Sequence, residues 1–122
     1  MKRFACVYVW LLCLVLSIAA QEKAVKLKIV ETSDVHGNYY PYNFITRKDW
    51  QGSLARIYAF VEKEREQYKE NLILLDNGAI LQGQPTAYYY NYIDTVSPHL
   101  CAEIMNYMKY DAGNMGNHDV ET

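Results

Sequence analysis

Three short extended stretches each run into a polar turn, and this order constrains the chain to a narrow set of folds. Val25, Leu27 and Ile29 alternate with Lys26, Lys28 and Val30, a period of two that predicts a β-strand ending where Asp34 begins. Leu72-Ile73-Leu74-Leu75 is followed at once by Asp76-Asn77-Gly78, and turn residues there favour a buried parallel strand. Tyr110 to Met115 is a third extended stretch, leading into Gly116-Asn117-His118-Asp119. Helical patterns lie between them. Ser53 stands at an N-cap position before Leu54, Ile57, Tyr58 and Val61 at helical spacing, with the charged run 62–66 as a solvated face. Ser97-Pro98 supplies an N-cap residue and a proline for a further helix, whose Leu100, Cys101, Ile104, Met105 and Met108 share one face. The order strand, helix, strand, helix, strand predicts an α/β fold with a mainly parallel sheet.

The segments between these elements carry less information. Gly37 to Trp50 reads as a polar and aromatic loop, and Ile80 to Pro85 as a glycine-containing one. Tyr88, Tyr89, Tyr90 and Tyr92 read as a packed aromatic helix or turn. Cys101 reads as a small buried hydrophobe, and His99 as a surface residue in the first helical turn.

The N-terminus predicts export. Lys2 and Arg3 precede an apolar run from Phe4 to Leu16, and Ser17-Ile18-Ala19-Ala20 offers small residues for cleavage. Residues 1–20 therefore read as a signal peptide, and 21–122 as the folded portion. The run is shorter than the roughly 20 apolar residues of a spanning helix, so membrane contact is expected only during export. The expected location is periplasmic or extracellular. Without Lys2 and Arg3, ten basic residues face fourteen acidic ones, a net charge of −4. That excludes a basic surface for polymeric nucleic acid. Cys101 is then the only cysteine, so no internal disulfide forms. A domain of this size buries only about 60–70% of its unfolded surface.

Two sequences about 80 residues apart, Asp34-Val35-His36-Gly37 and Gly116-Asn117-His118-Asp119, carry the chemistry. Each follows a predicted strand, where open α/β sheets bind ligands. Asp34 and His36 are two positions apart, which in a strand puts both side chains on one side, within reach of one ion. Asn117 offers an amide oxygen to a second ion. His118 would point elsewhere, towards substrate, with Asp119 or Glu121 holding its imidazole in one tautomer. Oxygen and nitrogen donors of this kind suit Mn²⁺, Zn²⁺ and Fe alike.

These motifs resemble the calcineurin-like metallophosphoesterase superfamily, and within it the exported 5′-nucleotidase and 2′,3′-cyclic-nucleotide 2′-phosphodiesterase group. The resemblance rests on residues 31–37 (ETSDVHG), 52–56 (GSLAR), 75–83 (LDNGAILQG) and 116–119 (GNHD), and spans about residues 25–122. It implies the N-terminal half of a four-layer α/β/β/α sandwich with two divalent metal ions at the strand ends. Carried over, it implies that Asp34 and His36 ligate the first metal and Asn117 the second. His118 would contact the leaving group or phosphoryl oxygens, with a carboxylate near Glu121 in support. The implied reaction is metal-dependent hydrolysis of small nucleotide phosphoesters.

The chain departs from that pattern at Ala79, where the family carries an Asp that bridges both metals. A methyl group cannot ligate, so the chain is expected to bind one ion weakly or none. The family's further histidines are absent before Thr122, so a fragment with weak or no activity is expected. The alternative is a non-catalytic metal- or phosphate-binding module or pseudoenzyme.

Overall fold

A computed structural model describes residues 24–121; the predicted signal peptide, residues 1–20, lies outside them. Three parallel strands form one sheet in the order β1 (Lys28–Thr32), β4 (Leu72–Asp76), β5 (Ala112–Gly113). A two-stranded antiparallel hairpin, β2 (Tyr42–Asn43) and β3 (Lys48–Asp49), stands apart from that sheet. It occupies the stretch expected to be loop. Asn43 closes its turn, its Oδ1 accepting from the amides of Ile45 and Thr46 at 3.0 and 2.9 Å.

Helix α1 (Leu54–Tyr68) links β1 to β4, capped as expected by Ser53, whose hydroxyl accepts from the Arg56 amide. Helix α2 (Pro85–Tyr92) begins on Pro85 and α3 (Leu100–Met108) follows it. Leu54 and Val61 of α1, Leu72 and Leu74 of β4, and Cys101 and Met108 of α3 join in one core. Burial pushes the Cys101 thiol up to about 11, which makes it an inert packing group.

Three details differ from expectation. β1 starts at Lys28, and its covered face is that of Val30 and Thr32, while Val25, Leu27 and Ile29 are more than half exposed. The alternation persists, with Ile29 on the exposed face and Val30 and Thr32 on the covered one. The N-cap of α3 is His99, two residues beyond Ser97, and His99 is half-buried. Its Nδ1 accepts from the Cys101 amide at 3.2 Å and its Nε2 lies 2.8 Å from Asn91 Oδ1. The bond at Nδ1 requires an unprotonated nitrogen there, and burial accordingly lowers the pKa of His99. The tyrosines of α2 do form a helix, but Tyr88, Tyr89 and Tyr92 are exposed, and Ala87 is its buried residue.

Candidate functional site

The carboxyl ends of the three sheet strands meet through backbone contacts that continue beyond the regular ladder. Asn77 N–H donates to the Thr32 carbonyl, Asp34 N–H to Gly78, His36 N–H to Ala79 and Gly37 N–H to Ile80, all at 2.8–3.0 Å. On the other side Asn114 N–H donates to the Asp76 carbonyl at 2.8 Å. The loops after β1, β4 and β5 thus form one layer. Asp34, His36 and Ala79 all adopt left-handed backbone conformations within it, with φ of 55°, 49° and 58°. Such conformations are uncommon outside glycine and cluster at functional sites.

That backbone changes why Asp34 and His36 meet. The expectation placed both on one side of a strand, yet β1 ends at Thr32. Two left-handed residues flanking Val35 bring the side chains together instead, with His36 Nε2 3.6 Å from Asp34 Oδ1. Ser33 Oγ donates to Asp34 Oδ2. The His36 carbonyl accepts from the Gln84 amide at 3.2 Å, so the start of α2 braces this loop.

The second motif arrives beside the first. The His118 ring lies 6.0 Å from that of His36, and both are more than one-third exposed. His118 Nδ1 stands 3.4 Å from Glu121 Oε2, a long contact between exposed groups. Asn117 is exposed in the turn just before it.

Asp119 is built into the scaffold. It is 3% exposed, and its two oxygens accept four backbone amides. Oδ2 takes those of Ala79 and Gly116 at 2.6 and 2.8 Å, and Oδ1 those of Ile80 and Leu81 at 2.9 and 2.8 Å. A carboxylate has about four lone-pair sites, and these bonds engage both of its oxygens. Burial alone would raise its pKa, but the four amides outweigh that and hold it below the usual carboxylate value. Sequence reasoning missed this role, because nothing local in Gly-Asn-His-Asp reveals that the 79–81 loop lies opposite.

A second buried network was missed for the same reason. Thr32 Oγ1 donates to Asp76 Oδ1 at 2.7 Å and lies 2.9 Å from the Tyr110 hydroxyl. Asp76 Oδ2 accepts from the Gly78 amide at 3.0 Å. Asp76 therefore ties β1, β4 and the following turn together.

The glycines allow the loops to approach. A Cβ on Gly78 would lie 2.2 Å from the Gly116 nitrogen, and one on Gly116 would lie 2.3 Å from the Ala79 nitrogen. Both contacts are backbone and cannot yield by a rotamer change. Gly116→Ala is expected to cost at least about 1–3 kcal/mol in strain, read as a lower chemical-denaturation midpoint. A midpoint equal to the parent's would show that the loops separate freely.

Ala79 is 5% exposed, and its backbone serves the site from both ends, donating to Asp119 and accepting from His36. The donors present at Asp34 and His36 have the right chemistry for a divalent ion. Their number falls short: among the described residues no group of three or more His, Cys, Asp or Glu is placed to hold one. The described residues alone do not fit a resident metal pair.

No protein-family model matches the chain. It is 38% identical over 112 residues to the trifunctional nucleotide phosphoesterase protein YfkN of Bacillus subtilis, a match covering 84% of this chain and 8% of that protein. It is 32% identical over 103 residues to a 2′,3′-cyclic-nucleotide 2′-phosphodiesterase/3′-nucleotidase of Yersinia enterocolitica, covering 82% and 16%. The crystal structure of the calcineurin-like phosphoesterase YfkN from Bacillus subtilis superposes with a TM-score of 0.67 at 36% identity, over 75% of this chain and 29% of that one. The chain thus spans less than one-third of the length of each of these proteins. Its parallel sheet, its strand-end loops and these likenesses agree: over most of its length the chain is similar to calcineurin-like phosphoesterases and nucleotide phosphoesterases, of each of which it spans only a part.

Proposed function

We propose that this chain contributes part of the active site for hydrolysis of small phosphoesters, nucleotides among them, in an exported protein. The observation that carries this reading is the meeting of Asp34, His36 and His118 at the carboxyl ends of parallel strands, on a backbone that holds two of them left-handed.

Asp34 and His36 form a two-donor corner suited to a divalent ion such as Mn²⁺, Zn²⁺ or Fe. Asn117 brings an amide oxygen in the neighbouring turn. His118, exposed beside His36, would contact a phosphoryl or leaving-group oxygen. Glu121, next to its Nδ1, favours the tautomer that carries a proton on that nitrogen. Asp119 acts indirectly, because it fixes the loop that carries Ala79 against the loop that carries His118. Residues 1–20 support export, and among the described residues no helix is long and apolar enough to cross a membrane.

Calorimetric titration of the full chain with Mn²⁺ tests the reading. A single weak site is expected, and both Asp34→Ala and His36→Ala should abolish it. An isotherm that neither substitution changes would show that the metal-binding corner lies elsewhere.

A further inference from the structure

Tyr58 of α1 and Tyr107 of α3 meet at the surface, with ring centroids 5.3 Å apart and planes tilted by 46°. Tyr107 is 68% exposed and Tyr58 is half-buried. The two stand 49 positions apart in the chain. We propose that this pair is an oxidative cross-linking site: hydrogen peroxide, acting through a haem peroxidase, joins the two rings as dityrosine and staples α1 to α3.

In this coupling each phenol gives up one electron and one proton. The unpaired electron then spreads over the oxygen and the ring carbons ortho to it. Two such radicals form one carbon–carbon bond between ortho positions. The hydrogens on those carbons move to the oxygens, and both rings regain their aromaticity. The peroxide takes both electrons and both protons, and its oxygen–oxygen bond breaks. Two phenols and one hydrogen peroxide thus give one dityrosine and two waters.

The fold holds the pair in register. Arg65 of α1 donates through Nη2 to the carbonyls of Met108 and Lys109 at 2.6 and 3.0 Å, directly after Tyr107. Val61 of α1 and Met108 of α3 are both buried in the shared core. Hydrogen bonding to Tyr107, and then burial, push the Tyr58 phenol up to about 12, so it stays neutral at neutral pH. Glu62, one turn along α1, also bonds this phenol and is a ready acceptor for its proton. Among the described residues the other close tyrosine pairs, Tyr88–Tyr92 and Tyr89–Tyr90, each lie within α2. A bond there closes a loop of a few residues, whereas the Tyr58–Tyr107 bond closes a long one and restricts the unfolded chain far more. Cys101 is buried and free, so no disulfide links these helices.

Treatment of the full chain with hydrogen peroxide and a haem peroxidase, followed by peptide mapping by mass spectrometry, tests the proposal. A monomeric product is expected, with a fragment that joins Tyr58 to Tyr107. Its melting midpoint should lie about 10 °C or more above that of equally treated Tyr58→Phe, a comparison in which methionine oxidation is common to both. Before treatment, Tyr58→Phe and Tyr107→Phe should melt close to the parent. After it, both should lack the joined fragment and the gain. Tyr88→Phe removes the pair within α2 and should leave the fragment and the gain intact. Three results would each overturn the proposal: no joined fragment, coupling confined to α2 or to contacts between chains, or a linked product that melts no higher than treated Tyr58→Phe.

Discussion

Asp119→Ala should lower the melting temperature of the chain by about 15 °C or more. The substitution removes the acceptor of four backbone amides at once, in a group that is 3% exposed. A buried donor left without a partner costs about 1–3 kcal/mol. Water entering the vacated space rescues some of the four, so a total of at least about 3 kcal/mol is expected. For a domain of this size each kcal/mol moves the midpoint by roughly 4–8 °C. Asp119→Asn grades the effect, because it keeps the shape but replaces one accepting oxygen by a donor that faces other donors. A shift under about 3 °C for the alanine variant would show that the amides find other partners.

The same carboxylate makes a pH prediction with a definite sign. Its folded pKa lies below the unfolded value of about 3.9, because the amides favour the charged form. Its stabilisation is therefore fully present above that unfolded value. It disappears as pH falls through the lower, folded value. The stability gap between the parent chain and Asp119→Asn should be wide at about pH 6 and should narrow progressively as pH falls below the unfolded value of about 3.9. Thermal melts of both proteins across that range provide the check. A gap that ignores pH would mean that shape, not charge, holds the loops.

What could be read in the sequence follows a physical division. Local patterns specified the elements: Ser53 capped α1, the apolar run 72–75 became a buried strand, and Cys101 was buried in α3. Chain-local motifs also specified the Asp34–His36 corner, although by a left-handed turn and not by strand alternation. Long-range partners were not legible. Asp119 offers its carboxylate to amides 38 to 40 positions away, and Thr32 meets an Asp 44 positions away. No local pattern states which loops will face each other. The covered face of β1 was not legible either: Ile29 and Val30 are both apolar, so only the position of the helices decides which of them is covered. His99 displaced Ser97 as the cap because its Nδ1 reaches the Cys101 amide while its Nε2 is held by Asn91 on α2.

Ala79→Asp should raise the affinity of the chain for Mn²⁺ by at least about tenfold, since the loss of even an outer partner of a metal ligand costs about 10–100-fold. The position is next to the Asp34–His36 corner by direct bonding: the Ala79 carbonyl accepts from the His36 amide at 2.9 Å, and the preceding carbonyl accepts from the Asp34 amide at 3.0 Å. The backbone is already suited to the change. At φ of 58° Ala79 sits in the left-handed region, where Asp is several-fold enriched because its short polar side chain bonds locally. The left-handed backbone suits Asp, but position 79 is 5% exposed and its amide bonds the buried Asp119 carboxylate, so without an ion the added charge should lower stability. Without an ion, the added charge has Asp34 nearby in the same loop layer, a repulsion that a bound cation reverses, so the gain should appear chiefly as metal affinity. Turnover of an aryl phosphate should stay low, because one added carboxylate does not supply the remaining ligands of two ions. Calorimetry with Mn²⁺ on Ala79→Asp, alone and combined with Asp34→Ala, measures the coupling. If the two carboxylates share an ion, the gain vanishes in the double variant. A gain that survives there would place the introduced carboxylate at a different site, and no gain at all would mean that position 79 does not face an ion held by Asp34 and His36.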